Sequence, residues 1–143
     1  MRLLVFLLLA HLSLAQRTDR IAHYTHLIAQ QGYQYPHLAA AISAVETGYW
    51  NPKVGIVRAH NLFAFKRNSR KNYIAVRPSG YVVFESDSAC LADYGQYEQQ
   101  VIRKYTLTSA ERFRRHLIRR FSSDPNYGRK LQHALTATKH CFR

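Results

Sequence analysis

The chain has 143 residues, enough for one domain, with 21 Lys and Arg against 8 Asp and Glu and a formal net charge of +13. A surface that basic favours anionic polymers as partners: nucleic acid, anionic lipid or a bacterial wall polymer. Two cysteines are too few for a disulfide scaffold, and without a Cys cluster or a His-Glu-x-x-His spacing a zinc site is not expected, nor any cofactor.

Met1-Arg2 is a short basic start, and residues 3–14 are apolar except for His11 and Ser13. Ser13-Leu14-Ala15 then places small residues at the −3 and −1 positions of a cleavage site, so residues 1–15 read as a secretory signal peptide. The run is shorter than the ~20 apolar residues that span a bilayer. Stable membrane insertion is therefore not expected. The expected destination is the periplasm, the cell envelope or the extracellular space. Export also argues against an intracellular nucleic-acid partner.

Ile21, Tyr24, Leu27 and Ile28 recur at helical spacing within residues 18–31, and Gly32 ends that helix. Pro36 suits the first turn of the next helix. Its apolar face is Leu38, Ala41, Ile42, Val45 and Tyr49, and Gly48 with Pro52 stops it. Residues 51–70 are irregular and basic. Two β-type runs, 73–76 and 81–84, flank Arg77-Pro78-Ser79-Gly80, whose Pro and Gly positions fit a type I turn in a hairpin. Ser86 or Ser88 can cap a helix with Leu91, Tyr94, Val101, Ile102 and Tyr105 inward. Thr108-Ser109-Ala110-Glu111 has capping-box form. It opens a helix with Phe113, Leu117, Ile118 and Phe121 inward and a run of arginines from Arg112 to Arg120 outward. Asp124-Pro125 reads as N-cap and first residue of a last helix carrying Tyr127, Leu131, Ala134, Leu135 and Thr138. About five helices and one hairpin make an α+β domain, mostly α. Cys90 and Cys141 could pair after export or remain free thiols.

Few acids are available for chemistry. Glu111 and Asp124 fit capping roles, Asp19 fits the first turn of a helix, and Asp93 and Glu98 lie within a helix. That leaves Glu46, Glu85 and Asp87. Glu46 is the best general acid: it ends an apolar run, precedes Tyr49 and Trp50, and would have its pKa raised by partial burial. As an ordinary carboxylate in a helix's last turn it would oppose the dipole. Tyr49, Trp50, Phe63, Phe65, Tyr73 and Tyr81 fall in the middle third, as sugar platforms or as core. Asn61 could bond an acetamido group or brace the loop.

Three motifs stand in order: Ala44-Val45-Glu46-Thr47-Gly48-Tyr49-Trp50, Asn61-Leu62-Phe63-Ala64-Phe65-Lys66 and Asp124-Pro125-Asn126-Tyr127. Together they resemble the bacterial glucosaminidase family (glycoside hydrolase family 73), over most of residues 21–135. The resemblance implies a glucosaminidase-like domain over residues 16–143, with a lysozyme-like helical lobe, a small β-hairpin lobe and a groove between them. It implies hydrolysis of the β-1,4 bond after N-acetylglucosamine in peptidoglycan. A monomer is expected. The catalytic Glu falls on Glu46 and the late active-site Tyr on Tyr127. Asn61, Trp50 and Phe63 would bind substrate, and anionic wall polymers would attract the basic helices.

The chain departs from the family twice. Ala64 stands where relatives usually have Gly, and residues 73–84 lack the acid that some members carry on the hairpin. A glycosidase normally uses two carboxylates, ~5–5.5 Å apart if retaining and ~6.5–9.5 Å apart if inverting. Glu85 is the preferred second acid; otherwise the substrate's own 2-acetamido group serves as nucleophile. Two alternatives stay open: a wall-binding module without activity, and a cationic protein that acts on membranes or nucleic acid.

Overall fold

The computed structural model describes residues 2–67 and 70–142, with side chains from residue 14 onward. Helix α1 spans Arg2–Ala29 without a break. The helix expected from residue 18 is therefore the second half of a longer one. Leu and Ala are strong helix formers and no Gly or Pro separates the apolar run from the amphipathic one. The side chains of residues 1–13, within the segment expected to be a signal peptide, lie outside the described residues. Among the described residues, no helix is long and apolar enough to cross a membrane.

Helix α2, Pro36–Thr47, is the centre of the molecule. Leu38 through Ala44 are all buried, because α1 covers one side and α6 another. Four small alanines in this stretch allow that close approach, and a helix apolar on every side belongs inside a core. Its entry is braced by Glu98, whose carboxylate oxygens accept from the Gln34 and Tyr35 amides at 2.8 and 3.1 Å. Its exit is a left-handed turn. Gly48, Tyr49 and Trp50 have φ of 58°, 59° and 55°. Each non-Gly residue there costs about 1–2 kcal/mol. The turn swings the Trp50 indole under α2, where it is fully buried, stacks on Tyr24 at 5.3 Å and donates from Nε1 to Ser43 Oγ at 2.9 Å. A buried Trp contributes about 3–5 kcal/mol against truncation, enough to hold both strained residues.

A short helix α3, Gly55–Arg58, interrupts the segment expected to be irregular. The hairpin has two short strands, β1 (Ala75–Val76) and β2 (Val82–Val83), paired antiparallel with Ala75 opposite Val83. The Gly80 amide donates to Arg77 O at 2.8 Å, closing the expected turn, and Gly80 follows at φ 83°. On the other edge of β2, Lys66 forms a bridge with Tyr81, and the Val82 amide donates to Phe65 O at 3.0 Å.

Helices α4 (Asp87–Tyr105), α5 (Ala110–Arg120) and α6 (Tyr127–Thr138) complete the body, followed by a 3₁₀ turn at Lys139–Phe142. The fold is α+β and mostly α. Ser86 caps α4, accepting from the Ala89 amide. Tyr105, expected inward, is exposed at the last residue of α4, which a left-handed Thr106 closes. The N-cap of α5 is Ser109, one residue after the expected Thr108. Asp124 is not the N-cap of α6: its carboxylate accepts from the Asn126 amide at 2.8 Å, forming a turn that delays the helix to Tyr127. Both cysteines are free thiols, and buried Cys90 Sγ accepts from the Leu62 amide at 3.3 Å.

Candidate active site

The loop after α3 is built by Asn61. Its Oδ1 accepts from the Phe65 amide at 2.8 Å, and its Nδ2 donates to the carbonyls of Phe65 and Val82 at 2.8 and 2.9 Å. One amide side chain thus ties residues 61–65 to β2, and it is fully buried. A side chain with all these bonds satisfied within the fold is a brace, so the substrate-binding role expected for Asn61 does not hold. Within the brace the chain reverses at Ala64, whose φ is 51°. A glycine would suit this position better, because only Gly takes a left-handed φ without a Cβ clash.

This loop, the end of α2, the middle of α4 and the segment after α5 enclose a cleft of about 460 Å³. Among the described residues, Glu46 is the one carboxylate that lines it. Phe65, Tyr81, Tyr97 and Phe121 contribute aromatic surface, Lys66, Arg70 and Arg120 positive charge, and Ser122 and Ser123 hydroxyls. Glu46 sits half-buried in the last turn of α2. Burial holds its carboxyl above the ordinary 4.5; the Tyr127 hydroxyl beside it and the Lys130 charge offset part of the rise. The carbonyl end of the α2 dipole also disfavours the anion.

Tyr127 opens α6 as expected, but its side chain is buried beneath Glu46 instead of facing the cleft. Its hydroxyl interacts with the Glu46 carboxyl, yet falls short of full hydrogen-bond geometry and has no other partner among the described residues. Burial and the Glu46 charge keep the phenol firmly protonated. Tyr127 can therefore act on Glu46 and not directly on a substrate.

Three further expectations are corrected. Trp50 lines no groove, because the left-handed turn carries it into the core. Phe63 borders the cleft, but its ring stacks on Tyr94 at 4.0 Å and on Phe65 at 5.6 Å and is fully buried, so it offers no face to a sugar. Glu85 is exposed and outside the cleft lining. Phe84 points into the core, so the next residue faces out. Asp87 is also outside the lining and meets His60 Nδ1 at 2.8 Å. Sequence reasoning missed Tyr97, Arg120 and Phe121. Tyr97 and Phe121 lie on helix faces indistinguishable from core faces, and Arg120 is one arginine in a run of them.

A second cavity of about 470 Å³ lies between the α1–α2 link and α4, lined by Gln31, Gln34, Gln96, Gln99 and Glu98 among others. Its carboxylate is the one already bracing the entry of α2, which leaves the Glu46 cleft as the candidate for catalysis. No protein-family model, no curated protein and no solved structure matches the chain.

Proposed function

We propose that the chain is an exported peptidoglycan hydrolase of the glucosaminidase type, cleaving the β-1,4 bond after N-acetylglucosamine. The observation that carries this reading is Glu46: a half-buried carboxyl with a raised pKa, lining an aromatic-walled cleft and backed by a protonated tyrosine. The ordered motifs around Glu46, Asn61 and Tyr127 support the same family.

In this mechanism Glu46 donates its proton to the glycosidic oxygen as the bond to the anomeric carbon breaks. The cleft lining supplies no second carboxylate. The nucleophile is then the carbonyl oxygen of the substrate's own 2-acetamido group, which closes onto the anomeric carbon and gives an oxazolinium ion. Glu46, now ionised, takes a proton from water as that water opens the ring. Two displacements at one carbon retain its configuration. Tyr81, Tyr97 and Phe121 provide aromatic surface for the sugar rings.

Protein lacking residues 1–15 is expected to clear a peptidoglycan gel, and Glu46→Gln to lower the rate by at least ~10²-fold, the lower range for losing a general acid. Mass spectrometry of the digest should find N-acetylglucosamine at the new reducing ends. N-acetylmuramic acid there would make the enzyme a muramidase, and clearing that survives Glu46→Gln would remove Glu46 from its role. The absent second carboxylate also favours a second reading, a wall-binding module without activity. Binding to insoluble peptidoglycan with no release of reducing ends would select it.

A further inference from the structure

We infer that Lys66 and Arg120 form a carboxylate clamp that makes the Glu46 cleft specific for glycan bearing acidic stem peptides, as distinct from a neutral N-acetylglucosamine polymer. The inference rests on the hydrolase reading and adds to it the feature of the substrate that the cleft selects.

Three cations line the cleft, and they are not equivalent. Arg70 is buried and neutralised: Nη1 meets Asp93 Oδ2 at 3.0 Å, and its guanidinium lies over the rings of Phe65 and Tyr97 at 4.9 and 5.3 Å. Lys66 and Arg120 are exposed, and among the described residues neither has an acidic partner. Both start from fixed backbone. Lys66 is pinned by its bridge to Tyr81, with its ammonium 5.4 Å from that ring. Arg120 is the last residue of α5. One cation stands on the hairpin side and the other at the helix end, in a cleft whose one carboxylate is held toward its neutral form.

Such a cleft has a net positive charge that nothing in the fold consumes. A neutral glycan would leave both cations without a counter-charge. A glycan whose alternate sugars carry carboxylates at regular spacing would meet them along the same groove. Phosphates of attached wall polymers share the anionic chemistry but are not carried on the sugars of the glycan strand that the cleft would hold, so the carboxylates are assigned.

The test measures binding of Glu46→Gln protein, which leaves the glycan intact, to insoluble peptidoglycan that is untreated, carboxyl-amidated or stripped of phosphate polymers. Amidation is expected to weaken binding about tenfold, equivalent to about 1.4 kcal/mol, and phosphate removal to change it little. With Lys66→Gln and Arg120→Gln added, the amidation response should fall to about twofold or less. Lys66→Arg with Arg120→Lys should restore it. Lys104→Gln with Lys139→Gln removes the same charge outside the cleft lining and should keep the full response, separating the clamp from bulk attraction. An amidation response that persists without Lys66 and Arg120, or a preference abolished by phosphate removal instead, overturns the clamp. The hydrolase reading is scored separately, by reducing ends released by the unsubstituted enzyme. Carboxylate-dependent binding without release would sink hydrolysis and keep the clamp.

Discussion

Tyr127 and Glu46 present the sharpest residue-scale question, because a buried hydroxyl without a full hydrogen bond is a cost that a core phenylalanine would avoid. Removing it should leave stability within about 1 kcal/mol of the parent. Its chemical effect should be larger. Tyr127 favours the Glu46 carboxylate, so Tyr127→Phe leaves burial less opposed and Glu46 with a still higher pKa. The proton donor then persists to higher pH, and the alkaline limb of the rate profile should move upward. The rate on its plateau should fall roughly 10–10²-fold, because the carboxylate formed by proton transfer loses its partner. A lowered rate with an unmoved limb would make Tyr127 a packing residue. The sign for stability follows from the same shift. The native state holds a proton that the unfolded chain releases near 4.5, so the stability Glu46 contributes is full below that pH. It is lost as pH rises through the raised native value. Glu46→Gln should flatten this part of the curve, as read by thermal midpoints across the acid-to-neutral range.

Among the elements, α2 and its stop at Gly48 were legible in the sequence, the left-handed turn beyond it was not, and the loop that faces them was legible only as a motif. Pro36, the alanine run and Gly48 specify the start, the buried body and the end of α2 by local rules, and Glu46 follows from them. Residues 61–66 could not be read that way. Asn61 as a brace depends on Val82, twenty-one residues away, and Trp50 as a core residue depends on two left-handed residues that no propensity favours. Glu85 was misplaced because its outward direction is set by the pairing of a two-residue strand. Ala64 gives this loop a direct test. At φ 51° an alanine is strained, and Gly relieves a left-handed cost of about 1–2 kcal/mol while adding about 0.5–1 kcal/mol of unfolded-state entropy. Ala64→Gly should therefore be stabilising by about 0.5–1 kcal/mol, a rise of about 2–4 °C in thermal midpoint for a chain of this size. An unchanged or lowered midpoint would mean that the loop does not need the left-handed residue.

At the scale of the whole molecule, a net charge of +13 sets self-repulsion against a core built around α2. Two of the eight acids are buried, Glu98 at the entry of α2 and Asp93, and the Arg70–Asp93 pair, with side chains 6% and 3% exposed, fastens the loop side of the cleft to α4. Asn72 Nδ2 donates to the other Asp93 oxygen at 3.3 Å. Breaking such a pair strands a buried charge, which typically costs about 3–5 kcal/mol, whereas replacing both partners with apolar residues is often neutral. Asp93→Ala should therefore lower the unfolding free energy by that amount in a urea titration. Arg70→Met with Asp93→Leu should recover most of it. Salt separates this pair from the surface charge. From about 0.1 M to about 1 M salt the Debye length falls from ~10 Å to ~3 Å. The parent protein should gain stability as its surface repulsion is screened, while the Asp93→Ala deficit stays nearly constant because the lost pair is out of reach of ions. A deficit that vanishes in high salt would mean that the pair acts as surface charge, and the cleft would then lack the fixed back wall against which Arg70, Phe65 and Tyr97 are stacked.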